Sequence, residues 1–312
     1  MPNAADAPGR TTGPPTYGGQ AVIEGVMIRG ERAMAIAVRR PDGSIAVRAD
    51  RLGGLYTGAL RRLPVVRGVV TLWETLVLGI RALTWSAAVA SDEVDAQGEA
   101  RPLGVAGWAT LALTIATGAA VFFAGPVLLT AWLDNVLPAG WLVITLEGIV
   151  RVGLLLGYVW AIGRSEDIRR VFQYHGAEHM TIHAFEHGLE LRVPAIRRFD
   201  RAHPRCGTSF LLTVAVIAAF VFVLLGTPPL WWRLLSRLAL LPVIAGLSYE
   251  AIRFAGRHAE TPLVRWLFAG NLALQRLTTR DPDDGQLQVA VAALERAVAE
   301  DRRAESGALP SE

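Results

Sequence analysis

The sequence is short of the residues that stabilise secreted and highly soluble proteins. It contains one cysteine, Cys206, so an intrachain disulfide is impossible. It contains no lysine, and charged residues make up 19% of the chain, against roughly 25% in an average soluble domain. Its net charge of +3 is too small for a general nucleic-acid-binding surface. We therefore expect no nucleic-acid partner and a chain that is partly embedded in a lipid bilayer.

The first residues lack the apolar core of a secretory signal peptide. They are rich in proline, glycine, threonine and alanine, a composition that cannot bury enough apolar surface to fold. We therefore expect residues 1–16 to form a disordered tail.

The chain does contain several long apolar runs. Hydrophobic residues make up 52% of it, and about 20 consecutive apolar residues suffice to cross a bilayer as a helix. The sequence therefore predicts a mainly α-helical, polytopic membrane protein with about four transmembrane helices. The predicted spans are Leu103–Leu133, Trp141–Gly163, Thr208–Gly226 and Leu230–Phe254. Glu147, Arg151 and Arg237 fall inside the second and fourth spans, where charge is costly and could line a transport path.

The distribution of arginine predicts the orientation of these spans. The loop between the second and third spans is rich in arginine, whereas the loops DNVLPAG and TPP contain none. Because positively charged loops stay in the cytoplasm, we predict that the arginine-rich loop and both termini are cytoplasmic. Tryptophans at the opposite ends of the spans fit the aromatic belt of the other membrane surface.

The segments outside the spans carry their own signals. Two alternating runs flank the turn signal PDG and predict a β-hairpin near the N-terminus. In Val65–Ala90, the residues Arg67, Glu74 and Arg81 share one face of a helix. This pattern is typical of a helix lying in the membrane interface or of a bundle helix with a polar seam. An amphipathic C-terminal helix is predicted to begin at the aspartates around Pro282.

These features divide the chain into predicted segments. They are a disordered tail (1–16), a β-rich cytoplasmic segment (17–62), an interfacial amphipathic helix with an acidic linker (63–102), a first transmembrane pair (103–163), a cytoplasmic histidine/cysteine loop (164–207), a second transmembrane pair (208–254) and cytoplasmic C-terminal helices (255–312). The histidine/cysteine loop holds five of the six histidines and the one cysteine.

Four of those histidines fall in YHGAEHMTIHAFEHG, residues 174–188. On a helix, histidines spaced four residues apart drift by about 40° per step and spread over about 18 Å, so at most two or three can bind one ion. We predict that Gly176 and Gly188 interrupt the helix near its two ends. A solvated polar helix face and haem ligation are the alternatives to a metal site.

The pattern His-x-x-Glu-His at His175, Glu178 and His179 predicts metal-assisted chemistry. The two histidines would be ligands, and Glu178 would be the general base. Catalytic zinc usually has three protein ligands, so a third must come from elsewhere in the chain. The candidates are His183, Glu186, His203, Cys206, Glu250 and Glu24. Glu250 has an alternative role as a carboxylate paired with an arginine.

A second constellation, HPRCGTSF, places His203 and Cys206 three residues apart at the start of the third span. Imidazole and thiolate together suit Zn²⁺ or Fe²⁺. They also suit a cysteine nucleophile beside a histidine base, and a buried cysteine in a turn is the simplest alternative. A metal site requires the ligand atoms to converge within about 4–5 Å, because zinc–ligand bonds are about 2.0–2.3 Å long.

Four motifs occur in chain order: GGQAVIEGVMIRG, YHGAEHMTIHAFE, HPRCGTSFL and LQRLTTRDPDDGQLQVAVAALE. Together they resemble the motifs of the YqhQ family of bacterial multi-pass membrane proteins. The resemblance covers about Tyr17 to Ala297 and departs at Met180, where a polar residue is expected. It implies a protein of the bacterial cell membrane with a predicted metal-dependent activity and no assigned reaction. Carried over by position, the motif residues are Glu24, His175, Glu178, His179, His183, Glu186, His203 and Cys206.

The residues and the resemblance together predict metal-assisted hydrolysis at the cytoplasmic membrane surface. The expected cofactor is a divalent metal, zinc ahead of iron. A lipid or a membrane-protein segment is the expected substrate, because the site would lie at the bilayer surface. Two other functions fit the same residues: a membrane scaffold or regulator with a structural zinc site, and a small transporter. The sequence does not indicate an oligomeric state.

Overall fold

Most of the chain folds into helices, with one small sheet near the N-terminus. The computed structural model describes residues 17–52, 63–95, 98–137, 139–203, 206–258 and 261–306, so the tail predicted for residues 1–16 lies outside the described residues. The strands are β1 (Gly18–Val22), β2 (Gly25–Arg29), β3 (Ala33–Arg39) and β4 (Ile45–Arg51). The helices are α1 (Val66–Ala90), α2 (Val105–Ala119), α3 (Gly125–Thr130), α4 (Gly140–Ile162), α5 (Glu166–Glu186), α6 (Val193–Ile196), α7 (Thr208–Leu225), α8 (Leu230–Ala239), α9 (Leu241–Arg257), α10 (Pro262–Thr278) and α11 (Asp284–Glu305).

The four strands form an antiparallel sheet in the order β1-β2-β3-β4. The predicted hairpin is the β3–β4 pair, and its turn has Gly43 at a φ of +86°. Glycine adopts this conformation without steric strain, so its position fixes the turn. Side chains alternate along each strand, so Val26 and Ile28 of β2 face one core while Met27 faces the other. The β-rich character predicted for this segment is confirmed.

Helices cover both faces of the sheet. One face packs against α1 through residues such as Leu78 and Trp85, and the other packs against α5 and α11. The side chain of Asp283 caps the start of α11 and Gln286 completes the capping box, which confirms the helix predicted to begin near Pro282. Parts of the chain that are far apart in the sequence therefore form one layered unit, and the histidine stretch of α5 lies within it.

Among the described residues, three helical stretches are long and apolar enough to cross a membrane, judged by length and composition: Val105–Asn135, Gly140–Ile162 and Thr208–Leu225. Large apolar side chains, including those of Phe220 and Leu224, are exposed on the third of them. The fourth predicted span is two helices, α8 and α9, bent by 48°. Pro242 lies in the first turn of α9 and lacks the N–H that would continue the hydrogen-bond ladder. The mainly helical architecture is thus confirmed, and the crossing of a bilayer stays a prediction.

The charged residues predicted inside the second and fourth spans contact one another, and we call this set the arginine network. Glu147 accepts hydrogen bonds from Arg151 at 2.9 Å, from Arg233 at 2.9 Å and from Arg237 at 3.2 Å. Arg233 also pairs with Asp134 at 2.8 Å. Glu147 and two of the arginines have no exposed surface. Mutual pairing explains how the helical bundle accommodates these charges, because a lone buried ion costs far more.

The helix predicted for Val65–Ala90 is α1, and its polar residues pair with other parts of the protein. Glu74 is buried and accepts a hydrogen bond from Arg29 of β2 at 3.0 Å. Arg67 forms an ion pair with Glu250 of α9. The polar face of α1 therefore contacts the sheet and the bundle, and its placement in the membrane interface stays a prediction.

Candidate metal centre

The histidine stretch forms the second half of α5. The helix ends just before Gly188, whose φ of +67° favours glycine, as the sequence predicted. The prediction that Gly176 also interrupts the helix is wrong, because α5 runs through it without a break. A Cβ atom at Gly176 would lie 2.2 Å from the carbonyl oxygen of Arg280. Glycine at this position therefore allows the chain that follows α10 to pack directly against α5.

Two backbone carbonyls fix the rings of His175 and His179. Nδ1 of His175 lies 2.8 Å from the carbonyl oxygen of Thr278, at the end of α10. Nδ1 of His179 lies 2.5 Å from the carbonyl oxygen of Arg201, in the loop before α7. A carbonyl oxygen only accepts hydrogen bonds, so both Nδ1 atoms carry a proton. In neutral rings the two Nε2 atoms then present lone pairs, which is the arrangement of metal-ligating histidines.

The thiol of Cys206 contacts both of these rings, and we call His175, His179 and Cys206 the cysteine group. Its Sγ is 3.2 Å from Nε2 of His175 and 3.0 Å from the hydroxyl oxygen of Thr208, and it lies within 4.8 Å of a ring nitrogen of His179. One ligand atom from each residue lies within 4.8 Å of the other two, and each residue is at most 9% exposed. A thiol has one proton and can satisfy only one of the two imidazole lone pairs. A bound cation would satisfy the thiolate and both rings.

The cysteine group fits a soft or borderline divalent ion. Imidazole nitrogen and thiolate sulfur are ligands that Zn²⁺ and Fe²⁺ bind well. Burial lowers the pKa of the His179 imidazole, which favours the neutral form that a ligand needs. Three protein ligands are one fewer than a closed tetrahedral site requires. The geometry can therefore hold an ion that keeps one coordination position open.

A buried glutamine, Gln275 of α10, holds the loop that faces α5. Its Oε1 accepts a hydrogen bond from the backbone N–H of His203 at 2.8 Å, and its Nε2 donates to the carbonyl of the same residue at 2.9 Å. The preceding carbonyls of Arg201 and Ala202 each accept a hydrogen bond from a histidine of α5. Sequence reasoning gave no role to Gln275, which stands in the motif LQRLTTRDPDDGQLQVAVAALE and is one of two amides, with Asn271, in α10.

A second set of side chains meets one turn farther along α5, and we call His183, Glu186 and His203 the glutamate group. One ligand atom from each lies within 4.8 Å of the other two. Nε2 of His183 is 2.9 Å from the carbonyl oxygen of Ala202, and Nε2 of His203 is 3.4 Å from Oε2 of Glu186. His203 and Cys206, which their spacing had placed in one site, therefore belong to different groups. The ligands that the sequence assigned to one ion therefore form two neighbouring sets, the cysteine group and the glutamate group.

Glu178, the predicted general base, belongs to neither group. It is 3% exposed and accepts a hydrogen bond from the backbone N–H of Gly19 in β1. Its Oε2 atom has no hydrogen-bond partner among the described residues. Burial raises the pKa of this carboxyl to about 7, and the nearby His175 ring and the Gly19 N–H oppose the rise. Glu178 is thus a buried carboxyl one helical turn from His175, with one oxygen left unsatisfied.

The structure does not bring Glu250 or Glu24 to either group. Glu250 is paired with Arg67, which matches the alternative considered from the sequence. Glu24 accepts hydrogen bonds from Arg170 at 2.5 Å and from the Tyr174 hydroxyl at 3.3 Å. Each carboxylate has a cationic partner of its own, so the geometry gives neither residue the position of a metal ligand.

Comparison with known proteins agrees with the resemblance in the motifs. The family model described as "Protein of unknown function (DUF1385)" matches residues 63–300. "Uncharacterized protein YqhQ" of Bacillus subtilis (strain 168) is 35% identical over 288 residues, which cover 89% of this chain and 91% of that protein. No solved structure matches the chain. The matched region includes both groups of candidate ligands, and the chain belongs to the DUF1385 family of proteins of unknown function.

Proposed function

We propose that this protein is a metal-dependent enzyme of the cell membrane and that the cysteine group holds a divalent ion. One observation carries the proposal: His175 and His179 each donate Nδ1–H to a backbone carbonyl, and a second ligand atom of each ring lies within 4.8 Å of Sγ of Cys206. Two imidazole acceptors compete for a single thiol proton unless a cation joins them. Zinc is the expected ion, with iron as the alternative, because both accept nitrogen and sulfur ligands.

Hydrolysis is the reaction class that this arrangement favours. A bound divalent ion polarises a carbonyl or phosphoryl oxygen and lowers the pKa of water. Glu178 is the candidate for proton transfer, since it is adjacent to His179 in α5 and one of its oxygens is unsatisfied. The carbonyls of Thr278 and Arg201 keep the two rings aimed at the same point.

The proposed place of action is the cytoplasmic surface of the membrane. Three described helices are apolar and long enough to cross a bilayer, and the loop that carries Cys206 is rich in arginine. Positively charged loops are retained in the cytoplasm. A site at this surface would meet lipids, lipid-linked molecules or membrane-protein segments, and one of these is the proposed substrate class.

A structural zinc site is the second candidate, and the burial of the cysteine group favours it. None of its three residues is more than 9% exposed. An ion that is closed off from substrate would pin the loop before α7 to α5 and stabilise the fold. The protein would then be a membrane scaffold or regulator.

Metal analysis of the full-length protein, purified in detergent without chelator, tests the proposal. We expect stoichiometric zinc or iron in the wild type and one ion fewer per chain in His179→Gln. His187→Gln is the matched control, because His187 is an exposed histidine of the same stretch that belongs to neither group. A wild-type protein without stoichiometric metal, or a His179→Gln protein with the full content, would contradict the proposal.

Cobalt substitution separates the enzyme from the structural site. Co²⁺ bound by Cys206 gives a thiolate-to-cobalt charge-transfer band, and added azide shifts that band only if the ion has an open position. A shift favours the enzyme, and an unchanged band favours the structural site. Glu178→Gln should keep the band yet fail to complement a strain that lacks the protein. Full complementation by Glu178→Gln would remove the residue from the mechanism.

A further inference from the structure

We infer that the glutamate group holds a second divalent ion beside the first, which makes the site a two-ion centre. The second ion presupposes the first, so this inference rests on the proposed function. It gives His183, Glu186 and His203 a role as a separate ligand set, where spacing alone treated them as spare ligands of one ion.

A backbone carbonyl also fixes the ring of His183, through Nε2 rather than the Nδ1 used in the cysteine group. Its Nε2 donates to the carbonyl of Ala202 at 2.9 Å. Ala202 follows Arg201, whose carbonyl accepts the hydrogen bond from His179. The proton of the His183 ring is therefore on Nε2, and Nδ1 presents a lone pair. Three successive turns of α5 thus carry histidines whose rings are fixed by backbone carbonyls, although the thiol of Cys206 reaches only the first two.

His203 supplies the second nitrogen and contacts both groups. Its ring centroid lies 4.5 Å from that of His183 and 5.7 Å from that of His179. Its backbone is held on both sides by Gln275, and the residue is 4% exposed. Because His203 is buried and its backbone is held, its ring keeps the cysteine group and the glutamate group next to each other.

Glu186 supplies the third ligand and determines the kind of ion. Its Oε2 is 3.4 Å from Nε2 of His203, and its side chain is 25% exposed. Two imidazoles and a carboxylate are a ligand set of catalytic zinc sites, and they also suit Mn²⁺ and Fe²⁺. The partial exposure of Glu186 gives this position contact with solvent, whereas the cysteine group is buried. Two neighbouring divalent ions can stabilise both the attacking and the leaving oxygen of a displacement.

The competing explanation is an ion pair between Glu186 and a protonated His203. An ion pair predicts no second metal and no change in metal content when His183 is replaced. Zinc stoichiometry therefore distinguishes the two explanations. The experiment uses the full-length protein in detergent, stripped with chelator, dialysed against zinc and analysed for bound metal, with a parallel cobalt sample for the thiolate band.

We expect two zinc ions per chain in the wild type and about one in His183→Gln and in Glu186→Gln, with the thiolate band kept in both variants. The kept band also shows that the variants are folded. His187→Gln and Glu190→Gln are matched controls at exposed positions and should keep both ions. A wild type that shows the band but binds one ion, or two variants that keep both ions, would overturn the second site alone. A wild type without the band would overturn the proposed function.

Discussion

The arginine network of the bundle and the cysteine group of α5 both bury polar side chains, yet they satisfy them differently. In the network, guanidinium donors face carboxylates, as between Arg237 and Glu147 at 3.2 Å, and Arg151 also donates to the carbonyl of Phe122. One nitrogen each of Arg151 and Arg237 has no hydrogen-bond partner among the described residues. In the cysteine group, two imidazole lone pairs meet one thiol. The opposite charges of the network attract each other directly, whereas lone pairs that converge on one point are held together by a bound cation. We therefore interpret the network as part of the scaffold and the cysteine group as a site built for an ion.

Breaking the network should have the largest effect. Glu147→Gln removes the carboxylate charge that three arginines share, and removing one partner of a buried ion pair costs about 3–5 kcal/mol. We expect little monodisperse protein in detergent and a lower Tm for what remains. Arg164→Gln, at an exposed position, should purify like the wild type. A wild-type Tm for Glu147→Gln would show that the network does not hold the bundle together.

Removing the metal should have the next largest effect. An ion present at 100 times its dissociation constant stabilises the folded state by about 2.7 kcal/mol. EDTA should therefore lower the Tm of the wild type. Cys206→Ser should start from a lower Tm and respond less to EDTA, because one ligand of the buried ion is gone. If EDTA leaves the wild-type Tm unchanged, the cysteine group is not a metal site.

A smaller effect is expected at Gly176, where α5 packs directly against the chain that follows α10. In Gly176→Ala the new Cβ would lie 2.2 Å from the carbonyl oxygen of Arg280, and overpacking of this kind costs about 1–3 kcal/mol. The displaced chain also carries the carbonyl of Thr278, so metal affinity should fall with the Tm. Gly153→Ala is the matched control, since a Cβ there meets nothing within 4 Å. Equal Tm and zinc affinity in the two variants would disprove the close contact.

The smallest effect is expected at His187. Its ring is exposed and its Nδ1 bonds to the carbonyl of His183 within the same helix. Substitutions at such positions usually change stability by less than about 0.5 kcal/mol. His187→Gln should keep the wild-type Tm and metal content. A loss of metal would mean that His187 belongs to one of the two ligand sets.

Local sequence predicted the elements of this fold better than the contacts between them. The start of α11 was predictable because Asp283 and Gln286 cap it within a few residues. The role of Gly176 was not, because the atom that excludes a side chain belongs to Arg280, far along the chain. Glycine disfavours helix locally, but a tertiary contact decided its position here.

For the candidate ligands, too, local spacing predicted positions on a helix but not contacts between distant parts of the chain. Helical spacing placed His175 and His179 on one face, and their ring centroids are 4.4 Å apart. The separation of Cys206 from His203 depends on backbone carbonyls and on Gln275, which have no local signal. The pairing of Glu250 with an arginine of α1 is likewise a long-range contact that spacing cannot reveal.

The most direct test of the central claim is the absorption spectrum of the Co²⁺-loaded full-length protein. Cys206 is the one cysteine in the chain, so a thiolate-to-cobalt band reports on that residue alone. We predict the band in the wild type and in His187→Gln, its weakening in His179→Gln and its loss in Cys206→Ser. A folded wild-type protein that shows no such band would contradict the claim that His175, His179 and Cys206 hold a metal ion.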